Sequence, residues 1–245
     1  MSGLRVAALY DVHANLPALE AVLADVERAP VDVVLVGGDV VWGPMPQETL
    51  QRLSELGDRA RFVRGNADRE VAARHADSVG LDEWIAQVTA WCADQLSEKQ
   101  LADLSRLPTT ETIDLECLGP TLFCHGSPRD DAEPITSATS ERKVAEILAG
   151  VQERLVVCGH THARFDRVAR GTRIVNPGSV GLPFGDPTAY WALLGPDVDL
   201  RRSAYDVDEA AVRIRASGVP HADWFIDQIV SPPPETTAVE RFTRE

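Results

Sequence analysis

Residues 4–26 read LRVAALYDVHANLPALEAVLADV, and the order of features in this stretch decides the fold. Leu4 to Tyr10 is a short apolar run that reads as a buried strand, and it ends in the polar motif DVHAN. Beyond that motif Leu19, Val22, Leu23 and Val26 recur at helical spacing, with Pro17 where a first helical turn accepts it. The pairing then repeats. DVVLVGG at 32–38 reads as a second buried strand, Pro46 to Leu56 as a helix, and Ala60 to Arg64 as a third strand running into GNAD. Strand, helix, strand, helix, strand is the signature of a parallel sheet covered by helices.

Between Asp68 and Pro108 strand signals stop. Trp84, Val88, Trp91 and Leu96 lie at loosely helical spacing, which predicts two helices inserted over a sheet edge at about 69–107. The tryptophans there serve either as core packing, the weightier reading, or as a cap that shapes a substrate pocket. Strands return at Thr112 to Cys117, Thr121 to Cys124, Leu155 to Cys158, Arg173 to Val175 and Ala189 to Leu194. Residues 207–229 read as two closing helices parted by Gly218 and Pro220, and the proline-rich 231–245 as a loosely held tail beyond a single domain of residues 1–230.

Composition narrows the function. The chain has 245 residues, 38 Asp+Glu against 24 Lys+Arg, a formal charge of −14 and 44% hydrophobic residues, which suits one large domain with an insertion. An acidic chain without a Lys/Arg cluster longer than two residues disfavours binding along extended nucleic acid. No apolar run approaches the roughly 20 residues of a membrane span, and MSGLRVAALYDVH has no basic signal region, so the cytoplasm is the expected compartment. Cys92, Cys117, Cys124 and Cys158 form neither a CxxC pair nor a framework spacing and read as reduced core residues. Gly37-Gly38 follows a strand, but GxGxxG is absent and Asp39 stands where a phosphate would approach, so a nicotinamide site is a weak reading.

Five polar motifs stand at predicted carboxyl ends of strands: Asp11-Val12-His13, Gly38-Asp39, Gly65-Asn66-Ala67-Asp68, His125-Gly126 and Gly159-His160-Thr161-His162. In an open α/β sheet these ends line one rim, so residues distant in sequence converge there. Four of the six histidines fall in the motifs, accompanied by Asp11, Asp39 and Asn66. Imidazole with carboxylate and no thiolate suits manganese, iron, cobalt, nickel or zinc and is too nitrogen-rich for calcium. Seven such groups exceed one tetrahedral ion and fit two ions sharing a carboxylate.

The ordered series DxH, GD, GN, H and GHxH resembles the calcineurin-like metallophosphoesterase superfamily, and within it the small bacterial and archaeal phosphodiesterase-like branch. The match spans residues 4–181 and includes Asn176-Pro177-Gly178-Ser179, similar to that branch's turn after the last histidine motif. The resemblance implies an α/β sandwich of two mixed sheets flanked by helices and a dinuclear site, manganese first among the metals. Asp11, His13 and His162 would hold one ion, Asn66, His125 and His160 the other, and Asp39 would bridge them, with Asp39, Asn66 and His125 as the catalytic residues. A hydroxide shared by the ions would attack phosphorus in line, a phosphodiester first, and the two cations would leave the site roughly +1 in an acidic protein. A phosphomonoesterase, a protein phosphatase, a dinucleoside polyphosphate hydrolase, or a non-catalytic scaffold such as the eukaryotic retromer subunit of this fold are the alternatives. The expected partner is a small phosphoester, with no membrane; oligomeric state is left open.

One position departs from the larger members, which read GNH[DE]. Here Ala67 replaces the histidine that protonates the leaving oxygen. That predicts a preference for leaving groups that depart unprotonated, such as nitrophenolate, and for diesters over alkyl monoesters. Other nearby groups carry blander readings. Asp68 either orients a ligand or caps the next helix; Trp42 either walls the pocket or packs beneath it; Asn15 fixes the loop; His75 and His221 are surface residues; Arg64, Arg69 and Arg129 are solvated charges.

Overall fold

The computed structural model describes residues 3–76 and 83–243. Residues 77–82 of the expected insertion, and the chain ends at 1–2 and 244–245, lie outside the described residues. The first sheet contains β1 (Val6–Leu9), β2 (Val33–Val36), β3 (Ala60–Phe62), β9 (Ala189–Leu194) and β10 (Val198–Ser203), in the order β10-β9-β1-β2-β3. The second contains β4 (Thr110–Leu115), β5 (Gly119–Cys124), β6 (Leu155–Val157), β7 (Phe165–Ala169) and β8 (Thr172–Asn176), in the order β4-β5-β6-β8-β7. Each has a parallel centre, β1-β2-β3 or β5-β6-β8, with antiparallel strands beside it.

Strand alternation builds the layers. Val6, Ala8 and Tyr10 on one face of β1 pack with Leu155 and Val157 of β6 and with Phe123, filling the space between the sheets. Ala7 and Leu9, on the other face, meet Leu19, Val22, Leu23 and Val26 of α1 (Leu16–Arg28). Val156 and Cys158 turn outward to Val144 and Ile147 of α6 (Glu141–Ile147). The result is a four-layer α/β/β/α sandwich in which β1 is apolar on both faces, as a central parallel strand must be.

Helix α1 starts where the sequence predicts: the Asn15 side chain accepts the Ala18 amide at 3.3 Å, and its Nδ2 donates to the Gly181 carbonyl at 3.0 Å, so Asn15 caps the helix and ties down the loop. After α2 (Pro46–Ser54), three helices stand between β3 and β4 where the sequence reading expects two: α3 (Asn66–Ala73), α4 (Glu83–Asp94) and α5 (Glu98–Ser105). The additional one, α3, begins at the GNAD motif itself. Helices α7 (Val207–Ser217) and α8 (Ala222–Val230) close the first sheet's outer layer.

Four expectations need correction. Residues 235–243 form helix α9 (Glu235–Thr243), with Ala238 fully buried, rather than a loosely held tail, and a boundary at 230 cuts this helix from the body it packs on. Thr243 Oγ1 lies 3.1 Å from Thr136 Oγ1, and Gly185 donates its amide to Pro233 at 2.8 Å, which fixes both ends of the segment. Strands β7 and β10 were not legible; both are edge strands with charged residues on their open side. Cys117 is exposed in the turn after β4, whereas Cys92, Cys124 and Cys158 are buried.

Candidate metal centre

Every parallel strand ends at the same rim. Asp11 and His13 follow β1, Asp39 follows β2, Asn66 opens α3 after β3, His125 follows β5, and His160 and His162 follow β6. The loops are locked to one another by backbone bonds: His13 N to Asp39 O at 2.8 Å, Ala14 N to Val40 O at 2.8 Å, and Gly159 N to His125 O at 2.7 Å. Asp11 crosses from the first sheet to the second, accepting the His160 amide at 3.2 and 3.1 Å on its two oxygens.

The backbone here is under strain. Asp11, His13, Asp39, His160 and His162 all have positive φ, between 46° and 65°, a region that non-glycine residues rarely occupy and that recurs at functional sites. Close packing demands glycine nearby. Gly38 has φ +98°, and a Cβ there would meet His125 Nδ1 at 2.6 Å and the Gly65 amide nitrogen at 2.7 Å.

All seven residues singled out from the sequence converge. Asp11, His13 and His162 form one group of potential ligand atoms within 4.8 Å of one another, and Asp39, His125 and His160 form a second. The carboxylate of Asp39 faces both: Oδ1 lies 3.3 Å from His125 Nε2, and Oδ2 lies 3.7 Å from His13 Nε2. Asn66 lines the same cavity, and its buried Oδ1 has no hydrogen-bond partner among the described residues.

The donor chemistry fits cations. Nδ1 of His13, His125 and His162 lies 3.0, 2.8 and 2.7 Å from the carbonyls of Trp42, Gly37 and Leu182, so each Nδ1 carries the proton and Nε2 presents its lone pair. His13 Nε2 and His162 Nε2 then face each other at 3.1 Å, two acceptors with no shared proton unless one ring is charged. His125 Nε2 is buried and makes no hydrogen bond among the described residues. A cation resolves these conflicts together.

Without one, protons take its part. Burial opposes charge on His125, but the Asp39 carboxylate, then Asp11, lift it to about 10; His162 is likewise raised against burial by Asp11. Burial, then the neighbouring imidazoles, press His13 and His160 down to about 4. Asp11 and Asp39 are held below the usual carboxylate range despite burial, chiefly by His162 and His125 respectively.

Supporting residues answer the questions left open by sequence. Asp68 caps the next helix, its Oδ2 accepting Gly65 N at 3.1 Å at the start of α3, and its Oδ1 accepts the Val40 and Val41 amides at 2.8 and 3.2 Å, which holds the loop that carries Asp39 without a bond to a ligand side chain. Burial, then Asp39, raise its carboxyl to about 6. In the NPGS turn, Asn176 Nδ2 donates to Gly159 O at 2.9 Å and Ser179 Oγ to Asp11 O at 2.7 Å, bracing both metal-site loops. Trp42 lines the cavity and donates its indole N–H to Thr89 at 3.1 Å. Arg69 is paired with Asp131 at 2.9 Å and Arg129 with Glu133, while His75 and His221 are exposed. Phe184, Trp224, Gln228, Arg241 and Phe242 also line the cavity; they come from late elements that carry no motif, and nothing in the sequence marked them.

Among the described residues, no helix is long and apolar enough to cross a membrane. Comparison with known proteins bears on the whole of this architecture. A metallophosphoesterase from Sphaerobacter thermophilus superimposes with a TM-score of 0.75 at 29% identity, over 94% of this chain and 100% of that one. A hypothetical protein from Pyrococcus horikoshii OT3 shares the fold, with a TM-score of 0.81 at 19% identity over 94% and 99% of the two chains. An uncharacterized protein of Methanocaldococcus jannaschii is 24% identical over 91% of this chain and 96% of its own length. Residues 4–197 match the model of the calcineurin-like phosphoesterase superfamily domain, and with its two facing ligand groups at the rim of a double sheet the chain belongs to that superfamily.

Proposed function

We propose that this protein hydrolyses phosphoesters, phosphodiesters first, at a dinuclear metal site, with manganese the leading candidate ion. The observation that carries the reading is the pair of ligand groups facing each other across Asp39, with the Asn66 and His125 acceptor atoms buried and without a hydrogen-bond partner among the described residues. Asp11, His13 and His162 would hold one ion, Asn66, His125 and His160 the other, and Asp39 both. Two bound divalent cations supply a nucleophile from water near neutral pH and neutralise phosphoryl oxygens.

The chain's own residues set the rest. The carbonyl-bound Nδ1 of His13, His125 and His162 fixes each ring's tautomer and direction. Asp39 is anchored by the Ala67 amide, which donates to Oδ1 at 2.8 Å. The Ala67 side chain has no proton to give a departing oxygen, which favours leaving groups that are stable as anions. The substrate is a small phosphoester rather than an extended polyanion, in keeping with the net charge of −14. Free cysteines, three of them buried, suit a reducing compartment, and we assign the protein to the cytoplasm.

The test is elemental analysis of purified protein coupled to hydrolysis of bis- and mono-nitrophenyl phosphate with added Mn²⁺. Two ions per chain and diester cleavage that disappears in Asp39→Asn are expected. Tight metal binding with no turnover on either ester refutes the catalytic reading.

A further inference from the structure

The cavity above the two ligand groups is walled largely by aromatic rings. Trp42, Trp84, Phe184, Trp224 and Phe242 line it together with the metal-site residues. The tryptophans form one cluster, with centroids 4.9 Å apart for Trp84 and Trp224 and 6.0 Å for Trp42 and Trp84. Phe242, from α9, sits apart from them with its ring centroid 5.3 Å from that of His160. The cavity volume is about 160 Å³ and includes the space over the ligand residues, so beside a phosphoryl group it has room for no more than one ring, a benzene ring alone being held by a cavity of about 150 Å³.

Beside Phe242 stands Arg241, its Cζ 5.5 Å from the phenyl centroid, lining the same cavity. Arg69, Arg129 and Arg173 all pair with carboxylates. Arg241 makes no ion pair or hydrogen bond among the described residues, in a chain whose acidic groups outnumber its basic ones 38 to 24. A guanidinium left unpaired at the mouth of such a site is matched to an anion that arrives from outside. Helix α9 holds both residues in place through buried Ala238, the Thr243–Thr136 contact and an Arg164–Glu235 ion pair at 3.6 Å.

We propose that α9 sets the substrate class of this site: a phosphoester carrying a single planar ring, with the ring packed between Phe242 and the tryptophan cluster and a phosphoryl oxygen against Arg241. This rests on the phosphoesterase reading above and deepens it. A bare alkyl phosphoester satisfies Arg241 and the cations but leaves the aromatic walls in contact with water. Stacked or edge-on ring contacts favour the ring-bearing ester by about tenfold.

Phenylphosphonate and methylphosphonate share the anion, differ in the ring and carry a carbon–phosphorus bond that the proposed reaction does not cleave. Their affinities for Mn²⁺-loaded protein are measured by calorimetry. The wild type binds phenylphosphonate about tenfold more tightly. Phe242→Ala and the milder Phe242→Leu bring the ratio towards one with methylphosphonate affinity unchanged, and Arg241→Gln weakens both ligands by a similar factor. Equal affinities in the wild type, no binding of either ligand, or a ratio that survives both Phe242 variants overturns the proposal. Binding is read without turnover, so a protein that shows the ratio yet hydrolyses no phosphoester refutes the catalytic reading and leaves ring recognition by α9 as ligand binding only.

Discussion

Replacing Asp39 by asparagine distinguishes a bridging carboxylate from an ordinary ligand of one ion. The substitution keeps the side chain's shape, retains an oxygen for the Ala67 amide and suits the left-handed backbone at φ 52°, which asparagine tolerates. Only the charge is lost. The field to which that charge contributes most acts on His125: burial pushes the ring down, yet Asp39, then Asp11, lift it to about 10. That rise from the usual 6.5 is a net preference for one positive charge of roughly 5 kcal/mol, at about 1.4 kcal/mol per tenfold. Residues that merely support a metal ligand contribute about 10–100-fold in affinity, so the loss of a carboxylate shared by both ions should exceed about 100-fold at each. The assay is equilibrium dialysis of chelator-stripped protein against Mn²⁺, with ions per chain counted by elemental analysis. Wild type should hold two, His13→Ala and His160→Ala one each, and Asp39→Asn none at a concentration about tenfold above the wild-type Kd. A folded Asp39→Asn protein that keeps one ion at wild-type affinity refutes the bridge.

Asp68→Ala leaves the Val40, Val41 and Gly65 amides without their acceptor, and at about 1–3 kcal/mol per stranded group the loss should be on the order of 3 kcal/mol or more in urea unfolding; a loss below about 1 kcal/mol means the loop is held otherwise. Metal-free protein should be most stable near pH 6.5. His13 and His160, lowered to about 4, give stability that is present above 6.5 and lost as pH falls through 4, while His125, raised to about 10, gives stability that is present below 6.5 and lost as pH rises through 10. A melting temperature flat from pH 4 to 10 contradicts this. Metal uptake at pH 7.5 should release about one proton or more per chain, displaced from His125 and His162, which calorimetry in buffers of differing ionisation enthalpy detects; uptake with no proton release would mean that the carboxylates do not charge these rings.

The first three strands, the helices between them and all seven rim residues were legible because each signal is local: an apolar run, a helical period, a polar motif just past a strand end. The edge strands escaped for a physical reason. β7, FDRVA, and β10, VDLRRS, expose one side to water and carry charge there, so neither shows the apolar run of a buried strand. Helix α9 was hidden by Pro232-Pro233-Pro234 and by burying only Ala238, too little apolar surface to register as a period. Its Phe242 reaches the candidate metal centre from the far end of the chain, a proximity fixed by docking against the loops after β5 and β8 rather than by local pattern. The backbone conformation at the rim was equally invisible: an Asp or His in a motif does not announce a positive φ.

That conformation ties the local chemistry to the net charge. Each left-handed, non-glycine residue costs on the order of 1 kcal/mol or more, and Asp11, His13, Asp39, His160 and His162 all bear that cost on one rim. The fold tolerates it because each loop is bonded to its neighbour and because Asn176, Ser179 and Asp68 brace the loops from behind. What the bracing enforces is the approach of two carboxylates and four imidazoles, three of them, His13, His125 and His162, with Nδ1 tied to a carbonyl and Nε2 turned to its neighbours, an arrangement of acceptors that repels itself until positive charge enters. Protons supply that charge in part, on His125 and His162, and two divalent cations supply it more fully. The formal −14 therefore overstates the negative field a substrate meets. With Asp11 and Asp39 neutralised by cations in the proposed dinuclear site, the rim would become the local exception to an acidic surface, and a small phosphate could enter where a long polyanion lying across the rest of the protein would be repelled.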